Sequence, residues 1–224
     1  MLLLATDTSG KHGSIALAQC GPGEECTILE VVPLTGGTFS AQLVPQIATL
    51  LQKHGFSKLD IGAFAVASGP GSFTGLRVGL SAIKALAEVL EKPIAVVSLL
   101  EAIADSSHLE GNILAAMDAG RNELYLGGYT VEDSGTQVHR EWLGSHEECF
   151  AAAAQATLAT PDRTLAEEAR SRGLQVKQVE QPCSDSIARI GWRKIQSGDT
   201  VSPSDLDANY IRRSDAEIFG GNNP

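Results

Sequence analysis

The chain has 224 residues, 43% apolar and 20% charged, a balance that excludes a disordered polymer and leaves room for one large domain or two small lobes around a core. Its formal net charge is −10, from 27 acidic and 17 basic residues, and its densest basic stretches, 189–194 and Arg212-Arg213, are short. Nucleic-acid binding by phosphate neutralisation needs a basic face, so this composition argues against the chain gripping RNA or DNA by itself. The opening MLLLATDTSG turns polar at Thr6 and lacks a basic leader, and no apolar run approaches the roughly 20 residues of a membrane span. A cytoplasmic protein with no membrane contact is expected. Among the four cysteines, Cys20, Cys26, Cys149 and Cys183, there is no CxxC. Cys20 and Cys26 flank Gly21-Pro22-Gly23 and are expected as reduced cross-strand neighbours.

In chain order, residues 2–7, 14–20 and 26–32 read as strands joined by short Gly- or Pro-containing links, which makes antiparallel hairpins. A helix over about 40–54 follows, with Thr38 or Ser40 as cap, Leu43, Ile47, Leu50 and Leu51 as its apolar stripe, and Gly55 as its stop. Pro45 predicts a kink or a late start there. Residues 61–67 form an apolar run suited to a strand buried on both faces. A loop over 68–74 leads into a helix over 75–91, whose stripe is Leu76, Leu80, Ile83, Leu86, Ala87 and Leu90. Residues 94–97 give another strand, and Ser98 with Glu101 forms a capping box for a helix through Ser106.

From Gly111 the order begins again. Strands are expected at 112–118 and 123–130 across a tight turn, then at 137–142. Ser145 with Glu148 opens a helix to about Ala156. A strand at 157–160, a helix near 162–172, a strand near 174–179 and a helix near 185–197 follow, with an extended tail over 209–213. Both halves thus read β-β-β-α-β-α-β-α, the second loosely. The expectation is an α/β protein with two lobes, 1–107 and a smaller, degenerate 108–224. By element order these are analogous to actin, Hsp70 and sugar kinases, a ribonuclease H-like arrangement.

Two segments are candidates for anion or nucleotide chemistry. The loop from Gly69 to Gly79 offers Gly69, Gly71 and Ser72 between a strand and a helix N-terminus, where backbone N–H groups can approach phosphate. It carries no GxxxxGK[ST], its Gly75 comes one residue too late for GxGxxG, and Phe73 fills the centre of what would be GxSxG. A tight turn packed through its glycines fits the same string. Asp7, Thr8 and Ser9 end the first strand and either face phosphates and metal or bond their own backbone. No histidine pair has ligand spacing, and His146 with Cys149, three apart on a helix, makes no nucleophile–base arrangement. DAGRNELY (Asp118–Tyr125), with Arg121 and Glu123, reads as a polar contact surface or a solvated hairpin.

Together these strings resemble the bacterial TsaB proteins, also called YeaZ. The matching pieces are LLATDTS with SIAL (Leu3–Leu17), GPGSFTGLRVGLSAIKALA (Gly69–Ala87), PIAVVSLLEAIA (Pro93–Ala104), DAGRNELY and NYIRR (Asn209–Arg213). The resemblance implies an actin/Hsp70-like (ASKHA) fold and kinship with M22 glycopeptidase-like proteins. It also implies kinship with TsaD, the subunit that transfers a threonylcarbamoyl group to the adenosine beside the tRNA anticodon. It implies a non-catalytic partner that activates TsaD, has TsaE as a third, ATP-hydrolysing partner, and meets tRNA only through the complex. No catalytic residue, metal site or cofactor of its own is implied, and any nucleotide is expected at the partner interface. The implied docking face is the helix pair 40–54 and 75–91, through Ser40, Leu43, Phe73, Leu76, Arg77 and Leu80, against TsaD or, without it, a second copy in a homodimer.

Family members usually carry His-Ser where this chain has Phe39-Ser40, so no polar role carries over to position 39. The competing reading is a nucleotide-binding ATPase or kinase of the same fold using Asp7–Ser9 and Gly69–Gly75, which predicts metal-dependent ATP turnover by the pure chain. The second half lacks the further acidic phosphate-loop signature this would need. A peptidase, suggested by family adjacency, needs a metal or nucleophile that the sequence does not supply.

Overall fold

The computed structural model describes residues 1–23, 25–35, 38–132 and 135–212. Its first half forms β1 (Leu2–Asp7), β2 (His12–Cys20), β3 (Cys26–Thr35), α1 (Phe39–Lys53), β4 (Ile61–Gly69), α2 (Phe73–Leu90), β5 (Ile94–Ser98) and α3 (Leu99–Asp105). The sheet order is β3-β2-β1-β4-β5. β1, β2 and β3 are antiparallel, and β4 and β5 run parallel to β1. Strand parity gives this sheet two different faces. Leu17, Leu4, Phe64 and Ile94 are register partners in one row, and Ala16, Ala5, Ala65 and Ala95 in the next. α1 and α2 cover the large-residue face, packing Leu43, Ile47, Leu50, Leu76 and Ile83 on Leu4, Ile15, Phe64 and Val66.

α1 begins at Phe39 and runs through Pro45, so the expected late start is not seen. The carbonyl of Thr38 accepts from the N–H groups of Ala41 and Gln42, which starts the helix nearly two turns ahead of the proline. Phe39 itself is buried in the core. α2 is capped by the Ser72 hydroxyl, which accepts from the Gly75 N–H, and ends at Glu91 in the left-handed region.

The second half forms β6 (Gly111–Gly120), β7 (Glu123–Glu132), β8 (Gly135–Gly144), α4 (His146–Ala153), β9 (Thr157–Thr160), α5 (Arg163–Ser171), β10 (Val176–Gln178) and α6 (Ser184–Ser197). Its sheet order, β10-β9-β6-β7-β8, is the topology of the first sheet over again: the opening strand lies central, with two antiparallel strands on one side and two parallel strands on the other. Ser145 and Glu148 make the expected capping box on α4, and Asp162 caps α5 through the N–H groups of Thr164 and Leu165. α4 and α5 cover one face of this sheet through Phe150, Ala153, Leu165 and Ala169.

The described residues divide into two compact units, one from Met1–Leu99 with Pro182–Ala208, the other from Leu100–Gln181 with Asn209–Arg212. This differs from a single cut at 107/108 in two places. Most of α3 packs with the second sheet, placing Leu100, Ile103 and Ala104 against Ile113, Tyr125 and Tyr129. α6 packs on the alanine face of the first sheet. Gly191 lies so close to Ala65 and Ala95 that it has no room for a side chain, and the Ser184 N–H donates to Ser14 Oγ at 2.9 Å. A row of four alanines lets a helix approach a sheet closely, and Gly191 uses that space. Among the described residues no helix is long and apolar enough to cross a membrane.

Candidate functional site

The structure brings the predicted phosphate residues together, in a closed arrangement. The Ser72 N–H donates to the Ser9 carbonyl at 2.6 Å, and Thr8 Oγ1 donates to the Gly75 carbonyl at 2.7 Å. The N–H and hydroxyl of Ser9 both donate to Asp7 Oδ1, at 2.8 and 2.6 Å. A Cβ added at Gly71 would run into the Ser9 backbone, one at Gly75 into the Thr8 carbonyl, and one at Gly79 into the Thr8 hydroxyl. The glycines of GPGSFTGLRVG therefore serve close packing of the β4–α2 turn on the β1–β2 hairpin. Gly69, with φ 111°, turns the chain into it. Of the six predicted phosphate residues, Asp7, Thr8, Ser9, Gly69, Gly71 and Ser72, the Ser72 N–H, the Thr8 hydroxyl and both Ser9 donors are committed to protein partners. Among the described residues no group of three or more His, Cys, Asp or Glu side chains is placed to share a metal ion.

Asp7 is only 5% exposed, and burial lifts its carboxyl above the ordinary 3.8 against the lowering effect of the Ser9 bonds. An acid whose folded-state pKa is raised holds its proton longer in the native state. Stability therefore falls as pH rises from 3.8 through the raised value. Asparagine keeps an oxygen for both Ser9 donors without the charge. Asp7→Asn is expected to melt above the parent at pH 7, with the gap closing as pH falls towards 3.8. Thermal melts at the two pH values check this, and a variant that melts below the parent at pH 7 contradicts it.

An open feature lies between α1 and α2, a groove of about 530 Å³ lined by Ser40, Leu43 and Val44 from α1 and by Phe73, Thr74, Arg77, Val78, Ser81 and Ala82 from α2. Its floor is apolar, Val44 is 54% exposed, and the Arg77 guanidinium stacks 3.9 Å from the centre of the Phe73 ring. Four of the six residues expected at a docking face, Ser40, Leu43, Phe73 and Arg77, line it. Leu76 and Leu80 do not: they are buried in the core with Ile83 against the sheet, and Leu43, 1% exposed, forms only the groove floor. The reason is helical phase. The stripe 76/80/83/87 is taken by the sheet, and the rows 73/77/81 and 74/78/82 are rotated towards the neighbouring helix. Val44, Thr74, Val78, Ser81 and Ala82 were missed, although Val44 lies four residues after Ser40 and Ser81 four after Arg77.

In the second unit, DAGRNELY is a hairpin. Arg121 and Asn122, with φ of 57° and 63°, make the two-residue connection of β6 and β7, both in the left-handed region that such turns demand. Asp118 Oδ1 accepts from the Gly120 N–H at 2.8 Å. The chain that follows α6 closes over it. Arg212 binds the Glu123 carboxylate and the Gly120 carbonyl, and Asn209 shares Glu141 with the Tyr129 hydroxyl. Arg212 of the NYIRR string thus anchors this hairpin and Asn209 is tied to Glu141 of β8, while Arg213 lies outside the described residues.

A family model for TsaD, tRNA N6-adenosine threonylcarbamoyltransferase, matches residues 31–191. A TsaB protein of Bacillus subtilis, named for tRNA threonylcarbamoyladenosine biosynthesis, is 36% identical over 134 residues, covering 59% of this chain and 57% of that protein. The chain therefore matches little more than half the length of that relative. The Escherichia coli TsaB protein is 26% identical over 231 residues, 96% of each chain. This chain is a TsaB (YeaZ) family member, within the group that the TsaD model describes. A solved Pseudomonas aeruginosa protein, described as similar to peptidase YeaZ, superimposes with a TM-score of 0.76 over 94% of this chain and 99% of its own, at 25% identity. Together with the repeated sheet topology, it establishes the actin-like, ribonuclease H-like α/β fold that the TsaB resemblance implied.

Proposed function

We propose that the chain acts in threonylcarbamoyladenosine biosynthesis as a non-catalytic cytoplasmic subunit that docks on TsaD through the α1–α2 groove, with TsaE as a further partner. The observation that carries this reading is the groove itself, an apolar floor between two helices with a stacked Arg77–Phe73 pair at one side. The relatives' names supply the pathway. The match to the TsaD model includes both helices of the groove, so a TsaD partner has an equivalent helix pair to offer. Two such pairs meet as a two-fold contact, in which the same patch serves on both sides. A second copy of this chain would use the same face in the absence of TsaD.

The closed packing of Asp7–Ser9 on Gly69–Ser72 supports a subunit that leaves the chemistry to its partner. A charge of −10 supports one that leaves the grip on tRNA to it as well. The test is threonylcarbamoyl transfer to tRNA with cognate TsaD, TsaE and threonylcarbamoyl-adenylate, with and without this chain, and with this chain alone. Product only when the chain joins TsaD is expected. Equal product without it, or metal-dependent ATP turnover by the chain alone, would remove the scaffold reading in favour of an independent nucleotide-binding enzyme.

A further inference from the structure

Cys20 ends β2, Cys26 opens β3, and the two are direct partners across the antiparallel ladder. The backbone of Cys20 is engaged on its other side. Its N–H donates to the Met1 carbonyl at 2.8 Å, and its carbonyl accepts from the Met1 ammonium at 2.6 Å. Towards β3 it therefore stands in a non-hydrogen-bonded pair, where Cα atoms approach to about 4.5 Å, within the span that a disulfide bridges. Both side chains point to one face, and the sulfurs lie 3.1 Å apart with the Cys20 thiol donating to the Cys26 sulfur. That bond holds the Cys26 thiol below its ordinary value, with Arg189 acting in the same direction and burial opposing. The same bond and burial push Cys20 up.

One sulfur is thus prone to ionise while its neighbour keeps a proton, the division of labour between an attacking and a resolving thiol. Cys26 is 8% exposed and Cys20 2%, which admits a small oxidant in preference to a macromolecular one. The other thiols are held towards their protonated form: burial pushes Cys149 up to about 12, and burial with the Asp185 carboxylate pushes Cys183 up to about 11.

We propose that Cys20 and Cys26 form a reversible dithiol–disulfide couple oxidised by a hydroperoxide. The Cys26 thiolate attacks hydrogen peroxide, an S–O bond forms as the O–O bond breaks, and hydroxide leaves. Cys20 then attacks the sulfur of the resulting sulfenic acid, forming the S–S bond while the S–O bond breaks and its own proton goes to the departing hydroxide. Two thiols and one peroxide yield one disulfide and two waters, the two electrons passing from sulfur to oxygen. A dithiol reductant reverses the change by exchange.

The bond would close the hairpin end on which α6 rests. Arg189 donates to the Cys26 carbonyl at 3.2 Å, Trp192 Nε1 to the Gly23 carbonyl at 3.0 Å, and Gln196 to that same carbonyl. The oxidation site is therefore wired to the helix that belongs to the first unit by packing rather than by chain order.

The test treats the fully reduced protein with hydrogen peroxide, then blocks free thiols with a maleimide and measures intact mass and peptide linkage. Free thiols, counted after unfolding in the presence of the maleimide, are expected to fall from four to two, with Cys20 linked to Cys26 and dithiothreitol restoring all four. Cys20→Ser is expected to stop at a sulfenic acid on Cys26 that dimedone traps, and Cys26→Ser to keep its three thiols at the same dose. Oxidation first at Cys149 or Cys183, disulfides between molecules, or four free thiols at a dose that oxidises free cysteine would each overturn the proposal. Linkage mapping of the unsubstituted protein decides the matter even if a serine variant fails to fold.

Discussion

Replacing Val44 with arginine is expected to abolish the stimulation of threonylcarbamoyl transfer by this chain while leaving its melting temperature within a degree or so of the parent. Val44 is more than half exposed at the wall of the α1–α2 groove, so its side chain adds little to the core, and surface changes of this kind are usually worth within about 0.5 kcal/mol. In a docked complex the same atoms are covered. An arginine there fills the groove and sets a second cation near Arg77, which solvent screens in the free chain and a docked partner would bury. Truncation or blocking of a central interface residue costs about 2–4 kcal/mol, or roughly 30- to 1,000-fold in affinity. Titration of cognate TsaD with parent and variant, alongside the transfer assay, reads the effect. A variant that binds and activates like the parent places the partner elsewhere on the chain, and one that fails to fold shows that Val44 is not the surface residue its exposure indicates.

Gly191→Leu is expected to be the most damaging single change in the first unit, at about 3 kcal/mol or more of lost stability, the upper end for forced overpacking. Even a methyl group at Gly191 would press on Ala65 Cβ and lie 3.6 Å from Ala95 Cβ. Those alanines belong to the row Ala16–Ala5–Ala65–Ala95 in the middle of the sheet, where the backbone has no freedom to retreat. A leucine must lift α6 off the sheet, and with it the Ser184–Ser14 and Trp192–Gly23 hydrogen bonds. Urea titration should show a large drop in the midpoint, or no cooperative transition at all. An unfolding free energy within about 1 kcal/mol of the parent would mean that α6 is not seated on the alanine row.

Much of this architecture was legible beforehand. Apolar runs of strand length, Gly- and Pro-containing links, and the capping pair Ser145/Glu148 mark local preferences that the structure keeps, and both halves open with three strands as their patterns indicate. Pro45 misled because its cost depends on where the first turn begins, and that is set by the buried Phe39 and the Thr38 carbonyl rather than by the proline. The groove falls on the two helices to which the sequence pointed, at a different helical phase from the expected residues. Leu76 and Leu80 are the residues an apolar stripe advertises, and the sheet claims them, which leaves Val44, Val78 and Ala82 to the groove. The glycine loop was legible as special, yet its purpose was open, because a phosphate cradle and a close-packed turn need the same absence of side chains.

The sequence by itself determined the elements, their order and the two-fold repeat of that order, because strand and helix periodicity and end signals act over a few residues. It also determined the family, through strings long enough to be specific. The tertiary structure decided which sheet receives α6, that the glycines of the β4–α2 turn close on Thr8 and Ser9, and that Cys20 and Cys26 bring their sulfurs to 3.1 Å. Each of these depends on the register between strands or on a meeting of segments far apart in the chain. Such meetings follow from packing small residues against small ones across the whole unit, which no local window of sequence contains.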